Sequence, residues 1–441
     1  MFNKKQESNG YPSPLSTNEE KASKAYGLNY FRTMYYEWHN NSDAYFRDKK
    51  LRYSRNRSYA EGNQDVGKYK DLMDAEGDTS YLNIDWTPVS IVPKFVDVIV
   101  NGMVNQEYDI KAQSIDPVAA NKRLEKKKKM YGEMLSKDFL NNLEDETGVP
   151  LSPTGFVAES SEEVEMFMAL NYKQNVEIAL EKAIEYTLDI NDYDEVKRYM
   201  IRDLVVLGIC AAKTDLSASS GVKIRHVDPA NLITSFSSSS DYKNIKHAGE
   251  VYSMTIADLN QQAGDEFSEE DYINIANEYA GKNNNPMNFN TSASYDNGDN
   301  SYDYDKFSIN ILDAEFITSH ELKYEKKDNT KGGYSVNKKA SNYKQPKNSK
   351  TNRQAISSTI KVVYTGKYIV GSDYVFNYGL MKDMPRKKSA LSETNLSYII
   401  YQPNLYKMKS RSLVDRMVPF ADQIQLAHLK IQHVLAKARP K

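Results

Sequence analysis

Hydrophobic positions recur along this chain with two periods, one of three to four residues and one of two, in alternating stretches. Leu28, Phe31, Tyr35 and Trp38 share one helix face. Pro93 opens an apolar helix over PKFVDVIVNGMVNQ, and YDIKAQSI after it reads as a strand. Residues 118–146 form a charged helix containing the run Lys126 to Lys129. Ser160 with Glu163 predicts a capping box. The helix it starts continues, whole or interrupted, through Val176, Leu180, Ala183, Thr187 and Ile190. Val196, Met200, Leu204 and Leu207 mark another helix, ended by Gly208. ICAAKTDL and VKIRHVD read as strands around a turn near Gly221, followed by a break at Asp228-Pro229. Phe307 to Leu322 alternates as a strand, and Ile360 to Phe376 reads as a hairpin turning near Thr365-Gly366. The mixture is α+β.

The strongest helical signal closes the chain. Leu413, Met417, Phe420, Ile424, Ala427, Ile431, Val434 and Ala438 recur at alternating steps of four and three, which places them on one face. Ser412 followed by Asp415 resembles a capping box and marks the start. Pro419 lies inside the pattern and is expected to kink or split the helix. A long helix with a narrow apolar seam needs a partner surface, in a continuation of the chain or in another subunit.

Composition narrows the class. At 441 residues the chain can bury a sizeable core in two or three domains. Mean hydropathy is −0.69, and a net charge of −2 draws the whole chain toward neither DNA nor membrane, so any basic surface is local. The one cysteine, Cys210, excludes an intrachain disulfide framework and fits a reducing cytosol. No apolar run reaches membrane-spanning length, and MFNKKQESNGYPSP lacks the apolar core of a signal peptide. The 33 tyrosines suit wet protein–protein contacts as well as cores.

Two stretches carry local positive charge. Arg47, Lys49, Lys50, Arg52, Tyr53, Arg55, Arg57 and Tyr59 interleave cations with tyrosine, which suits stacking and phosphate contact with a nucleic acid and equally a subunit interface. Residues 326–354 hold nine Lys or Arg and one acid, Asp328, and read as a basic loop carried between strands.

Catalytic patterns fail on inspection. Gly62 to Lys68 fits the first part of a phosphate-binding loop, but Tyr69 stands where a hydroxyl must hold magnesium, and no apolar strand precedes it. Asp296, Asp299, Asp303 and Asp305 lack the central Gly and terminal Glu of a calcium loop. They are the residues a metal-dependent nucleic-acid enzyme would use here. The six histidines form no HExxH pair, and Cys210 in its apolar run reads as a core residue. The chain is therefore read as a non-enzyme, with no cofactor and no metal.

Taken in order, several segments resemble the portal proteins of tailed bacteriophages, most closely those of crAss-like phages. NRSYAEGNQ at 56–64 is similar to the early portal pattern of Tyr and Gly before Gln, and NIDWTPVSIVPKFVDVIVNGMV at 83–104 to the entry into the first core helix. GICAAKTDLSASSGVKIRHVDPANLI at 208–233 resembles the portal hairpin that ends in an Asp-Pro step. YQPNLYKMKSRSLVDRMVPFADQIQLAHLKI resembles the return to a long helix near the channel. The resemblance implies a ring, dodecameric in this family, with a helical and β wing, a helical stem and a β-rich clip. It implies a place in the virion at one capsid vertex, after assembly in the host bacterial cytoplasm. The partners it implies are the major capsid protein, the terminase packaging motor, tail adaptor proteins and double-stranded DNA in the channel. Family members continue well past a position like Lys441, so no crown is carried over. Another virion ring or adaptor protein is the rival from the same class.

The expected layout is a disordered arm at 1–25, a wing-like body at 26–265, and a stem helix with an acidic loop at 266–300. A β-rich clip follows at 301–385 with its basic loop at 326–354, then a return segment and long channel or subunit helix at 386–441. Lys338, Lys339, Lys344, Lys347, Lys350 and Arg353 are the expected contacts with DNA or a protein partner. Leu413, Met417, Phe420, Ile424, Ile431 and Val434 are the expected subunit or channel positions.

Overall fold

A computed structural model describes residues 10–39, 44–74, 84–147, 157–217, 221–280, 308–328, 332–340, 343, 353–386, 390–403, 405 and 411–438. The acidic segment holding Asp296 to Asp305 lies outside them, as do Lys344, Lys347 and Lys350. The fold is mixed α+β with antiparallel sheets. Two compact units divide it, one of residues 1–105 with 194–441 and one of 106–193.

The first unit opens with α1 (Asn18–Lys21), α2 (Lys24–His39), α3 (Ala44–Ala60), α4 (Gly67–Asp74) and α5 (Val92–Val104). Residues 10–25, expected as part of a disordered arm, are ordered. Thr17 caps α1 with Glu20, and Tyr11 stacks its ring against His247. In the second unit α6 (Pro117–Thr147), α7 (Ser161–Leu170) and α8 (Asn175–Ile190) follow. The first unit resumes with α9 (Tyr193–Val206), whose end is set by Gly208 at φ +80°.

Strands β1 (Cys210–Ser217) and β2 (Gly221–His226) pair with β9 (Tyr398–Tyr401) in a small sheet ordered β2-β1-β9. The larger sheet runs β3 (Leu232–Thr234), β4 (His247–Met254), β5 (Ile309–Asp328), β7 (Arg353–Ile369), β8 (Val375–Leu380), with β6 (Tyr334–Lys339) on the far part of β5. Helices α10 (Ile256–Ala263) and α11 (Glu269–Ala280) lie between β4 and β5, and α12 (Leu413–Ala438) closes the chain.

The expected hairpin turn at Thr365-Gly366 is corrected: β7 continues through it to Ile369 in unbroken register with β5, although its pairing with β8 shifts register between Thr365 and Lys367, and the turn comes at 370–374. Gly366 is a close-approach residue instead. A Cβ there would lie 2.9 Å from Phe31 Cε2 and 3.0 Å from Tyr378 Cδ2. Helix α2 packs Phe31, Met34 and Trp38 into the cluster formed by Leu312, Phe316, Val362 and Tyr364 of the sheet.

The two sheets are joined by buried charge. Lys213 of β1 places Nζ 2.7 Å from Asp313 Oδ2 of β5, and Glu315 accepts the Ser397 backbone N–H at 2.9 Å. Tyr398 Oη donates to the Asp313 carbonyl at 2.9 Å, and Arg225 of β2 pairs with Glu250 of β4. Burial alone pushes the Lys213 ammonium down, but Asp313, Asp215 and Glu315 outweigh it and raise its pKa.

The second unit corrects a further expectation. YDIKAQSI forms no strand. Its Ala112 and Ser114 N–H groups donate to the carboxylates of Glu181 and Glu177 on α8, at 3.0 and 2.9 Å, instead of to another strand. Arg123 and Lys173 pair with the same two carboxylates at 2.6 Å each. The unit's buried apolar cluster is small: Met130, Ala158 and Val164, with Tyr131, Met134, Phe167 and Met168 around it.

Candidate interaction surfaces

Strand β5 outruns the sheet. Its register with β4 ends at Phe316, but it continues to Asp328 paired with β7 and, from Lys323 onward, with β6. Residues 317–321 are still covered by α1, whose Lys21 and Asn18 donate to the Ser319 and Glu321 carbonyls at 2.7 and 3.0 Å, so the narrow arm is 322–328, about 23 Å at ordinary strand rise. The expectation of a basic loop over 326–354 is corrected here. Lys326 to Asp328, Tyr334 to Lys339 and Arg353 to Gln354 are strand residues, because the alternation that starts β5 and β7 carries on outward.

Directly opposed residues share a face of a sheet. Lys323 faces Lys339 and Lys327 faces Arg353, with Glu325 between them on β5. Glu325 is buried and accepts from Lys339 Nζ at 2.9 Å, from the Arg353 guanidinium at 3.2 Å and from Tyr343 Oη at 2.8 Å. Lys339 first, then Tyr343, holds its carboxyl below the usual glutamate range. Two of the expected contact residues are therefore engaged by an acid of their own chain, one that lies immediately before the basic segment. Lys338 faces Tyr324 on the opposite side of the arm. There Lys326 lies 4.5 Å from the ring centroid of Tyr334, beside exposed Val336 and Ile356.

Helix α12 is capped as the sequence predicts: the Asp415 N–H donates to Ser412 Oγ at 3.0 Å, and the Ser412 N–H donates to Asp415 Oδ2 at 3.1 Å. Pro419 does not split it; the helix runs unbroken from Leu413 to Ala438. The face buried in this chain is not the expected stripe. It comprises Val414, Val418, Ala421, Gln425, Leu429 and His433. Gln425 belongs there because its Oε1 accepts the Val89 N–H at 2.7 Å. Leu413 and Met417 pack at the edge of the main core, whereas Phe420, Ile424, Ile431 and Val434 are 67, 43, 60 and 64% exposed. Six residues expected as one seam are thus divided between a core edge and an outward face.

The near-miss motifs are occupied by structural contacts. Lys68 Nζ lies 2.7 Å from Asp422 Oδ1 of α12, the same oxygen that accepts from Tyr59 and Tyr69 at 2.5 and 2.6 Å. That lysine braces α4 on α12. Burial pushes the Cys210 thiol up to about 11, so at neutral pH it is protonated and a poor nucleophile. Arg57 of the tyrosine-interleaved stretch pairs with Asp228 at 2.5 Å and Arg55 with Asp415 at 2.9 Å. Among the described residues, no three His, Cys, Asp or Glu side chains gather where a metal could sit. Among them also, no helix is long and apolar enough to cross a membrane. No protein-family model matches the chain, and no curated protein matches it.

Proposed function

We propose that this chain is the portal protein of a tailed phage, one subunit of a ring at a capsid vertex through which DNA is packaged and ejected. The reading rests on the in-order resemblance of segments 56–64, 83–104, 208–233 and the 401–431 tail. The observation that carries it further is the second face of α12. A helix held to its own chain through Val414, Val418 and Leu429 still presents Phe420, Ile424, Ile431 and Val434 to solvent. Burying such a row between copies is what a ring subunit requires.

The basic arm is the part proposed to touch DNA, the terminase motor or a tail adaptor. A near-neutral chain with spread cations suits a conduit, since sliding DNA needs weak phosphate contacts rather than base readout. The ring holds DNA and docks the motor, the major capsid protein and the tail; it performs no catalysis.

Electron microscopy of the purified full-length chain tests the reading. Closed rings with a central hole are expected. A chain that remains monomeric at micromolar concentration would sink it.

A further inference from the structure

Helix α8 is built the reverse way round from an ordinary surface helix. Its two glutamates, Glu177 and Glu181, are buried and fully engaged. Its apolar residues Val176, Leu180 and Ile190 are 59, 47 and 58% exposed. The rotation of the helix is not free: the carboxylates hold Arg123, Lys173 and the backbone N–H groups of Ala112 and Ser114. With those contacts made, the apolar row must face outward.

That row is spaced 176, 180, 183, 187, 190. The exposed row of α12 is spaced 420, 424, 427, 431, 434. Both step by four, three, four and three, both cover about 21 Å at helical rise, and both carry alanine at the centre, Ala183 and Ala427. Thr187 does not break the row, because its hydroxyl donates to the Ala183 carbonyl at 2.8 Å and leaves its methyl available. Alternating steps of four and three are the spacing that knobs-into-holes packing uses, and a small central residue lets two helices approach. The charges match as well. Apart from its two buried glutamates, α8 carries Glu185, Asp189 and Lys182, a net −1, whereas α12 carries three cations and two acids, Asp415 and Asp422, that are paired with Arg55 and Lys68 of their own chain.

We propose that α8 of one copy packs lengthwise on α12 of the next copy, burying the two rows against each other. The contact is heterologous, with different surfaces on each side, so it propagates head to tail and can close only as a ring. It rests on the oligomeric reading above and names the seam of that ring.

Cysteine pairing tests it in the full-length chain. Both central alanines are exposed, and the native Cys210 is buried. The variants are Ala183→Cys, Ala427→Cys and the two together, each checked by circular dichroism for an unchanged helix content. Under mild oxidation the double variant should give a non-reducing ladder of dimers, trimers and higher species, and neither single variant should. Dimers from one single variant would mean a two-fold contact and overturn the seam. A crosslink confined within one chain would overturn it too. Rings seen by microscopy without any ladder would reject the seam while leaving the ring reading standing. Monomers alone would reject both.

Discussion

Lys213 and Asp313 meet at 2.7 Å with both side chains almost wholly buried, and they tie the small sheet to the large one. Glu315, 3.9 Å from the same ammonium, shares the charge. Removing the lysine takes the nearest cation from two interior carboxylates and leaves Asp313 to the Arg225 guanidinium at 3.6 Å. Lys213→Met should therefore destabilise the first unit by about 3–5 kcal/mol, the cost of breaking a buried pair from one side. Urea unfolding followed by near-ultraviolet circular dichroism measures it. A loss under 1 kcal/mol, about the worth of an exposed pair, would show that water reaches the site.

Gly366 should resist even a methyl group. Its Cβ would press on Phe31 of α2, buried against the sheet, and on Tyr378 of the neighbouring strand β8. Gly366→Ala is expected to cost about 1–3 kcal/mol through overpacking. Gly379, with nothing near its Cβ position, is the control, and Gly379→Ala should leave the unfolding midpoint nearly unchanged.

Asp422 sets an acid limit. Burial would raise its carboxyl, but Lys68, Tyr59 and Tyr69 more than offset this and hold it below its ordinary 3.8. A carboxylate with a lowered folded pKa adds stability above its unfolded value and loses it as pH falls through the folded one. The α12 clamp should accordingly hold at pH 5 to 7 and weaken below about pH 4. Asp422→Asn should be less stable at pH 7 and should lose less than the parent between pH 4 and pH 3. Parallel acid limbs for the two chains would rule out this assignment.

Glu325 should restrain the arm's affinity for polyanions. Glu325→Gln releases Lys339 and Arg353 from their shared carboxylate, so binding to double-stranded DNA at low salt should tighten. The slope of log affinity against log salt should steepen by about 1–2. Replacing Lys338, Lys344, Lys347 and Lys350 by Ala should flatten it by up to about 3–4, with folding unchanged. A filter-binding titration at four salt concentrations measures both. If neither variant moves the slope, the arm does not touch phosphate.

Periodicity along the chain determined which kind of element most segments form. The helices at 24–39, 92–104, 117–147 and 193–206 and the paired strands at 210–217 and 221–226 follow from local spacing, capping and glycine position. Those are short-range properties: a backbone satisfies its own hydrogen bonds where side-chain period and caps agree. The rotation of each helix and the partner of each extended segment were decided only by tertiary structure. In α12 the stripe of Leu413, Met417, Phe420 and Ile424 is adjacent to a second row, Val414, Val418 and Ala421, one residue or about 100° further round. Which row turns inward depends on Gln425 meeting the Val89 N–H, a contact 336 residues apart in sequence. In α8 the choice is stronger still, since Glu177 and Glu181 turn inward only because the 112–114 backbone and Arg123 are there to receive them. Burial of a charge costs several kcal/mol unless its partners are in place. A sequence read alone assigns such residues to solvent, and only the assembled fold supplies the donors that reverse the choice.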